Sequence, residues 1–294
     1  MRIIFMGRRP HSIEALSWLL QQGHEVVRVV APSGTGDEAV YWSPRLRDFA
    51  EARGLPVTCD TALYDELSDG RARAALEPVD LVVSFLFWKR VKRPIIDLPR
   101  SGCVNFHPAP LPEYQGVGGY NFAILEKRQD WAATAHYVDE GFDTGPIIEV
   151  RAFNFDWRTA TAFSLERATR PVILELFRDV VSEIARRGWL PTRPNVGGRY
   201  ITRDELEAAK RVDLGSLSSQ ELDLRARAFW YPPFDGAYVE EGGERFTLVS
   251  RAILQELRVL HDEDTGARSR ACTAAVQDGS VEQPSAHADR EGRG

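Results

Sequence analysis

The chain opens with Met1-Arg-Ile-Ile-Phe-Met-Gly7, a short apolar run that predicts a buried strand over residues 3–6. Apolar residues then recur at helical spacing between Ile13 and Leu20, and residues 25–30 form a second apolar run. A strand, a helix and a strand joined by short connections are the usual opening of a parallel α/β sheet. This stretch therefore predicts the fold class: a Rossmann-like, mostly parallel sheet with helices on both faces.

Two later apolar runs extend the predicted sheet and indicate where a site would lie. Residues 80–87 are apolar after their first aspartate except for Ser84, as central parallel strands are, and residues 104–106 follow as another strand. Ligands of open α/β sheets bind at the carboxyl ends of strands, so these two ends should border one crevice. Residues 131–138 and 146–153 are expected to pair antiparallel around the loop 139–145.

Charge and cysteine content narrow the class of protein. The formal net charge of −6 argues against a surface built to hold a phosphate backbone, so nucleic acid is not the expected partner. Cys59, Cys103 and Cys272 lie too far apart to indicate a disulfide framework or a zinc cluster. No apolar run approaches the roughly 20 residues of a membrane helix. We expect a cytoplasmic protein with no metal and no membrane partner.

Three polar side chains stand out at the predicted crevice. Asn105 and His107 are two residues apart in an extended segment, so they face the same side of the sheet. Asp143 lies in the loop between the antiparallel strands. An imidazole that moves a proton, an amide that donates to oxygen charge and a carboxylate that orients the imidazole would suit an acyl-type transfer to an amine.

The same residues admit other interpretations. Asn105 and His107 could be ordinary hydrogen-bonded polar residues at a strand end, and Asp143 could be a turn-forming residue. Such residues are common, and composition alone favours this structural role for all three. A zinc site of His107, His136 and Asp143 lacks a close ligand pair. Ser84 lacks the G-x-S-x-G context of a nucleophile, and no G-x-G-x-x-G follows the first strand for a dinucleotide.

A family resemblance changes this balance. Asn105-x-His107, followed by Leu-Pro-x-Tyr-x-Gly at 111–116 and by Asp-Thr-Gly at 143–145, resembles the signature of the 10-formyltetrahydrofolate-dependent formyltransferases. That family of one-carbon transferases includes methionyl-tRNA formyltransferase, glycinamide ribonucleotide transformylase and the sugar N-formyltransferases. The similarity extends over most of residues 1–250. It implies an enzyme with 10-formyltetrahydrofolate as formyl donor and Asn105, His107 and Asp143 as the catalytic set.

The resemblance also implies where the two substrates bind. The folate is expected, largely through main-chain contacts, at Phe85, Leu86, Phe87, Trp88, Val91, Val138, Asp139, Glu140 and Gly141. Aromatic rings stack on bases, amides bond hydroxyls and guanidinium groups bind diphosphates. The candidate acceptor contacts chosen on that basis are Arg8, Arg9, Tyr120, Asn121, Tyr231 and Phe234. Ordinary packing at turns and solvated arginines are the alternatives for these six.

The domain organisation follows from composition. Residues 1–190 are expected to form the catalytic domain, and the stretch 191–198, rich in proline and glycine, a linker. Residues 199–262 are expected to form a small, mostly β module. Residues 263–294 lack aromatic residues, and this composition predicts a disordered tail. The apolar hairpin at 237–249 leaves two alternatives, pairing in a homodimer or completing its own module.

The length of the C-terminal segment and the residues just after His107 bear on which amine accepts the formyl group. Methionyl-tRNA formyltransferases normally carry a larger C-terminal domain, and glycinamide ribonucleotide transformylase usually stops after the first domain. Ala109, Pro110 and Gln115 depart from residues common in the family. The expected acceptor is the primary amine of a nucleotide-linked amino sugar. Initiator methionyl-tRNA and another small amine are alternatives, as is a non-catalytic folate- or nucleotide-binding protein.

Overall fold

The computed structural model describes residues 1–33 and 44–259, and strands alternate with helices over much of that length. The strands are β1 (Arg2–Gly7), β2 (Glu25–Val30), β3 (Val57–Thr58), β4 (Leu81–Phe85), β5 (Cys103–His107), β6 (Tyr114–Gly116), β7 (Asp130–Tyr137), β8 (Ile147–Asn154), β9 (Arg199–Ile201), β10 (Tyr238–Glu241) and β11 (Glu244–Thr247). The helices are α1 (Pro10–Gln21), α2 (Leu46–Glu51), α3 (Asp60–Ser68), α4 (Gly70–Leu76), α5 (Gly119–Leu125), α6 (Ala162–Arg187), α7 (Arg203–Lys210) and α8 (Ser219–Phe229).

A seven-stranded sheet, in the order β3-β2-β1-β4-β5-β7-β8, forms the centre of the fold. The strands from β1 to β5 run parallel to their neighbours. Strand β7 pairs antiparallel with both β5 and β8. The prediction of a mostly parallel sheet that ends in an antiparallel pair is therefore confirmed.

Strand β1 contributes side chains to two separate cores, one on each face of the sheet. Phe5 packs with residues of α1, α2 and α6, whereas Ile4 and Met6 pack with residues of α3 and α4. A strand buried on both faces carries apolar residues at successive positions, which explains the continuous run at residues 3–6. Helices cover both faces, as the sequence predicts.

Helix α6 continues through Pro171, although a proline inside a helix usually interrupts it. The helix begins after Thr161, whose hydroxyl accepts a hydrogen bond from the backbone N–H of Ser164 over 2.9 Å. An interior proline costs about 3 kcal/mol because it removes a hydrogen bond and crowds the preceding turn. Leu176 and Phe177 are fully buried against the sheet, and packing of this kind outweighs that cost.

The segment after residue 198 combines helices with strands, where the sequence predicts a mostly β module. Strands β10 and β11 form the predicted hairpin, and β9 pairs with β6. Helices α7 and α8 lie between them in the chain. Ser218 and Glu221 exchange hydrogen bonds as a capping box, which is a strong start signal for α8. The β module is therefore present only in part.

Contacts divide the chain into two units, Met1–Leu248 and Val249–Gly294. In the second unit, residues 251–259 form a helix. The predicted linker at 191–198 lies within the first unit, and the division into a 1–190 domain and a 199–262 module stays a prediction. The tail predicted at 263–294 lies outside the described residues. None of the described helices combines the length and the apolar character that a membrane span requires.

Candidate active site

The predicted catalytic residues meet where β4, β5 and β7 lie side by side. Asn105 of β5 stands opposite Ser84 of β4 in the parallel register and opposite His136 of β7 in the antiparallel register. His107 ends β5, and Asp143 lies in the loop between β7 and β8. The sheet register thus gathers polar side chains from three neighbouring strands at one point.

Hydrogen bonds on both sides fix the orientation of the Asn105 amide. The Ser84 hydroxyl donates to Oδ1 of Asn105 over 2.7 Å, which places the amide nitrogen on the other side. This nitrogen lies 3.0 Å from Nε2 of His136 and 3.4 Å from Oδ1 of Asp143. Nδ1 of His136 donates to the Tyr137 carbonyl over 2.8 Å, so Nε2 is the ring nitrogen that faces the Asn105 amide.

The imidazole of His107 is held by one ring nitrogen and faces Asp143 with the other. Its Nε2 donates to the backbone carbonyl of Tyr114 over 2.8 Å. Its Nδ1 lies 3.5 Å from Oδ2 of Asp143, and both side chains are buried. Nδ1 is therefore the ring nitrogen that faces the carboxylate and is placed to exchange a proton.

Asp143 is held as an ionised carboxylate. Burial alone raises the pKa of this carboxyl, but His107, His136 and the N–H of Gly116 more than compensate and bring the pKa below its usual value. The Gly116 N–H donates to Oδ2 over 3.2 Å. The backbone of Asp143 is in the left-handed region, with φ of 58°, which residues other than glycine rarely occupy.

A pocket opens beside this network, between the end of β4 and the loop after β7. Of the predicted cofactor contacts, Phe87, Val91, Val138, Asp139 and Gly141 line it. The other wall residues are Ser84, Lys89, Arg90, Asn105, His136, Phe142 and Asp143.

The remaining predicted cofactor contacts lie elsewhere. Phe85 is fully buried among the rings of the sheet core, and Leu86 packs against the same core. Trp88 packs against Phe87 with the two rings tilted by 53°, and the Arg8 guanidinium lies over the Trp88 ring, 5.2 Å from its centre. Glu140 is exposed and forms an ion pair with Arg93 over 2.9 Å.

Four of the six predicted acceptor contacts form one cluster. The Arg9 guanidinium donates to the Tyr231 hydroxyl and, over 3.2 Å, to Glu166. The Tyr231 ring stacks with Tyr120 and with Phe234, at centroid distances of 6.3 and 5.9 Å. Burial raises the pKa of Tyr231 to about 12, so its hydroxyl stays protonated.

The other two predicted acceptor contacts lie outside this cluster. Arg8 lies over Trp88 at the ends of β1 and β4. The Asn121 amide donates to the Ala228 carbonyl over 2.8 Å and so links α5 to α8.

Sequence reasoning did not assign Ser84 or His136 a place beside Asn105. The sequence carries a signal for each of them. Ser84 is a polar residue inside an otherwise apolar run, and His136 lies on the more polar face of a strand with alternating side chains. Asn195, whose amide contacts the Asp143 loop, gave no local signal because it lies in a stretch that is typical of linkers.

Comparisons with known proteins found formyltransferases among both sequences and solved structures. The sequence model of the formyl transferase family matches residues 61–181. Methionyl-tRNA formyltransferase of Rhizorhabdus wittichii is 30% identical over 256 residues, which cover 85% of this chain and 79% of the relative. A 4-N formyltransferase from Francisella tularensis has a similar structure, with a TM-score of 0.68, 18% identity, and coverage of 85% of this chain and 96% of the other.

A further solved structure shows a related enzyme with its ligands. It is the N-formyltransferase of Helicobacter canadensis with folinic acid and dTDP-3-aminofucose, at a TM-score of 0.63 and 18% identity. The match covers 83% of this chain and 85% of the other. Structural similarity at this identity establishes the fold, and the sequence identity to the methionyl-tRNA enzyme over most of both chains establishes the family. The chain belongs to the formyltransferase family.

Proposed function

We propose that this chain transfers a formyl group from 10-formyltetrahydrofolate to the primary amine of a nucleotide-linked amino sugar. The observation that carries the transfer chemistry is the contact of His107 and Asn105 with one ionised carboxylate, Asp143, at the wall of a pocket. Bound 10-formyltetrahydrofolate would supply the formyl group: the amine nitrogen bonds to the formyl carbon, the bond from that carbon to the folate nitrogen breaks, and tetrahydrofolate leaves with the proton that the amine gives up. The residues of the chain bind, orient and move the proton.

His107 is the proposed proton acceptor. An amine that forms a new bond to carbon must lose a proton, and Nδ1 of His107 is the ring nitrogen not engaged by the Tyr114 carbonyl. Asp143 stabilises the resulting positive ring by its charge. Asn105 is the proposed hydrogen-bond donor to the formyl oxygen as negative charge develops on it. Of the two contacts that its amide nitrogen makes, the 3.4 Å contact with Asp143 is the longer, and it is the one that an incoming oxygen would replace.

The pocket beside the network suits a folate. Phe87, Val91, Val138 and Phe142 give it apolar walls that a flat heteroaromatic ring can pack against, and Asp139 contributes a carboxylate. Lys89 and Arg90 also line it and carry the charge that complements a carboxylated tail. The Helicobacter relative, which was crystallised with folinic acid, supports this choice of donor.

The cluster of Arg9, Tyr120, Tyr231 and Phe234 supports the choice of acceptor. Stacked aromatic rings suit a nucleotide base, and a guanidinium suits a diphosphate. Phe234 is 49% exposed, so its ring offers a face to a ligand. The dTDP-3-aminofucose in the Helicobacter structure supports the same class. The methionyl-tRNA formyltransferases at 30% identity make initiator methionyl-tRNA the second candidate.

An acceptor panel tests the proposal. The protein is incubated with 10-formyltetrahydrofolate and either amino-sugar nucleotides or initiator methionyl-tRNA, and tetrahydrofolate release is followed. We expect turnover with at least one sugar nucleotide. Turnover of the tRNA with none of the sugars would overturn the acceptor assignment and leave the transfer chemistry in place.

Two substitutions separate an enzyme from a binding protein on the same scaffold. His107→Ala and Asn105→Ala should each keep folate binding and lower formyl transfer by about 10²- to 10⁴-fold. A parent protein that binds folate and transfers no formyl group to any acceptor would instead be a binding protein.

A further inference from the structure

Asn195 makes a specific contact with the backbone that carries Asp143. Its amide nitrogen donates to the Asp143 carbonyl over 2.9 Å and to the Gly145 carbonyl over 2.8 Å. Two carbonyl acceptors fix the orientation of the amide, because the flipped form would set oxygen against oxygen. Asn195 is only 9% exposed. One buried side chain thus spans the turn from residue 143 to residue 145.

The arrangement is costly for stability alone. Oδ1 of Asn195 is buried without a hydrogen-bond partner in the part of the chain that the structure describes. A buried polar atom left unpaired costs about 1–3 kcal/mol, which offsets much of what the two donated bonds contribute. The turn it holds is also strained, since Asp143 has a φ of 58°. Because Asn195 stabilises a strained turn at such a cost, a role in positioning Asp143 explains this residue better than a contribution to stability does.

The segment around Asn195 also contacts two strands beside the site, β8 and β6, through its backbone. Arg193 and Ile147 exchange two backbone hydrogen bonds of 2.9 Å at the start of β8. Further along, β9 pairs with β6. Strand β6 provides both the Tyr114 carbonyl that binds His107 and the Gly116 N–H that binds Asp143. Residues 193–201 therefore support both partners of the His107–Asp143 contact.

We infer that Asn195 is a positioning residue for formyl transfer, which keeps the Asp143 turn in register with His107. The expected change in kcat rests on the proposed function, whereas the expected displacement of the Asp143 turn does not. It also gives the segment predicted as a linker, residues 191–198, a role in the site.

The test compares the parent with Asn195→Ala, which removes both donors, and Asn195→Leu, which removes them at similar volume. Asn195→Ser can keep one donor and should fall between the parent and the alanine variant. Asn154→Ala, at an exposed asparagine, is the matched control. The readouts are kcat, KM for the acceptor, the thermal midpoint, and the titration of the Asp143 carboxyl by ¹³C NMR, assigned with Asp143→Asn.

We expect Asn195→Ala and Asn195→Leu to lower kcat by about 10- to 100-fold with less than about a threefold change in KM, since a small displacement of a catalytic group has effects of that size. The Asp143 titration should move up toward the ordinary range of a carboxyl, and Asn154→Ala should change neither quantity. Folded variants with a lower thermal midpoint but unchanged kcat and an unchanged Asp143 titration would overturn the inference.

The NMR readout separates failure of this inference from failure of the proposed function. If the parent transfers no formyl group but the Asp143 titration still moves in the Asn195 variants, the proposed function fails and the positioning role stands. If the titration and kcat stay unchanged in an active protein, the positioning role fails alone. Asn195→Ser, the least disruptive change, provides the comparison should the larger substitutions not fold.

Discussion

Nδ1 of His107 lies 3.5 Å from Oδ2 of Asp143, on the side of the ring opposite the Tyr114 carbonyl. The other carboxylate oxygen, Oδ1, lies 3.7 Å from Nε2 of His136. One buried anion therefore faces two imidazoles. Nε2 of His136 also contacts the Asn105 amide nitrogen, whereas Nδ1 of His107 faces the carboxylate and is the nitrogen placed to exchange a proton.

Asp143→Asn tests this relationship because it keeps the shape of the side chain and removes its charge. Without the anion, a protonated His107 loses its partner, so we expect kcat for formyl transfer at pH 7.5 to fall by about 10²- to 10⁴-fold. Asp213→Asn, at an exposed aspartate that accepts from the Gly215 N–H, is the control and should keep full activity. Asp143→Asn with more than half of the parent rate would contradict the role of the charge.

Ser84→Ala tests whether the orientation of the Asn105 amide matters. The substitution removes the 2.7 Å hydrogen bond to Oδ1, after which the amide can rotate and present oxygen where it now presents nitrogen. We expect kcat to fall by about 2- to 13-fold, in line with one hydrogen bond of about 0.5–1.5 kcal/mol. Folate affinity should change less than kcat. Ser68→Ala removes a similar bond from an exposed serine on α3 and should leave both quantities unchanged.

The fold was predictable from sequence because its signals are local. Residues 3–6 are buried on both faces of the sheet, so the apolar run itself identifies a central strand. The helix at 203–210 was harder, since it has only eight residues and helices that short depend on tertiary packing, whereas the capping box of Ser218 and Glu221 is a local signal for the helix at 219–229. The continuation of α6 past Pro171 likewise depends on packing against the sheet.

The site was predictable only in part, for a related reason. Asn105 and His107 are two residues apart on one strand, and that spacing alone puts them on one side of the sheet. Ser84 and His136 meet Asn105 through the strand register, which no local pattern specifies. Asn195 reaches the Asp143 turn from about 50 residues away, and such a contact requires the folded structure.

Gly145→Ala tests the close approach of two backbone segments at the Asp143 turn. A Cβ at this position would lie 1.9 Å from the Tyr137 carbonyl oxygen, so the turn or the end of β7 must move. We expect the free energy of unfolding to fall by about 1–3 kcal/mol, the usual range for overpacking, and formyl transfer to fall with it. Gly70→Ala is the control, because nothing lies within 4 Å of its added Cβ. Equal stability of the two variants in urea denaturation would contradict the steric argument.

Phe234→Ala tests the proposed acceptor cluster. The Phe234 ring stacks with Tyr231 and is about half exposed, so its loss should weaken acceptor binding more than it weakens the fold. We expect KM for the amino-sugar nucleotide to rise by about 5- to 30-fold, corresponding to roughly 1–2 kcal/mol of aromatic contact. Phe246→Ala removes an equally exposed ring from the β10–β11 hairpin and serves as the control. Identical KM values for the two variants would place the acceptor elsewhere.

His11→Gln tests a buried histidine that makes stability depend on pH. His11 is 8% exposed, and burial, together with Arg170 and Arg9, lowers its pKa from about 6.5 to about 3. Between these values the unfolded chain binds a proton that the folded protein does not, so this group destabilises the fold as the pH falls below about 6.5. Urea denaturation at pH 7.5 and pH 4.5 should show the parent losing about 2 to 3 kcal/mol more than His11→Gln, since each pH unit in that window is worth about 1.4 kcal/mol. An equal loss in both proteins would mean that the ring accepts a proton in the folded state.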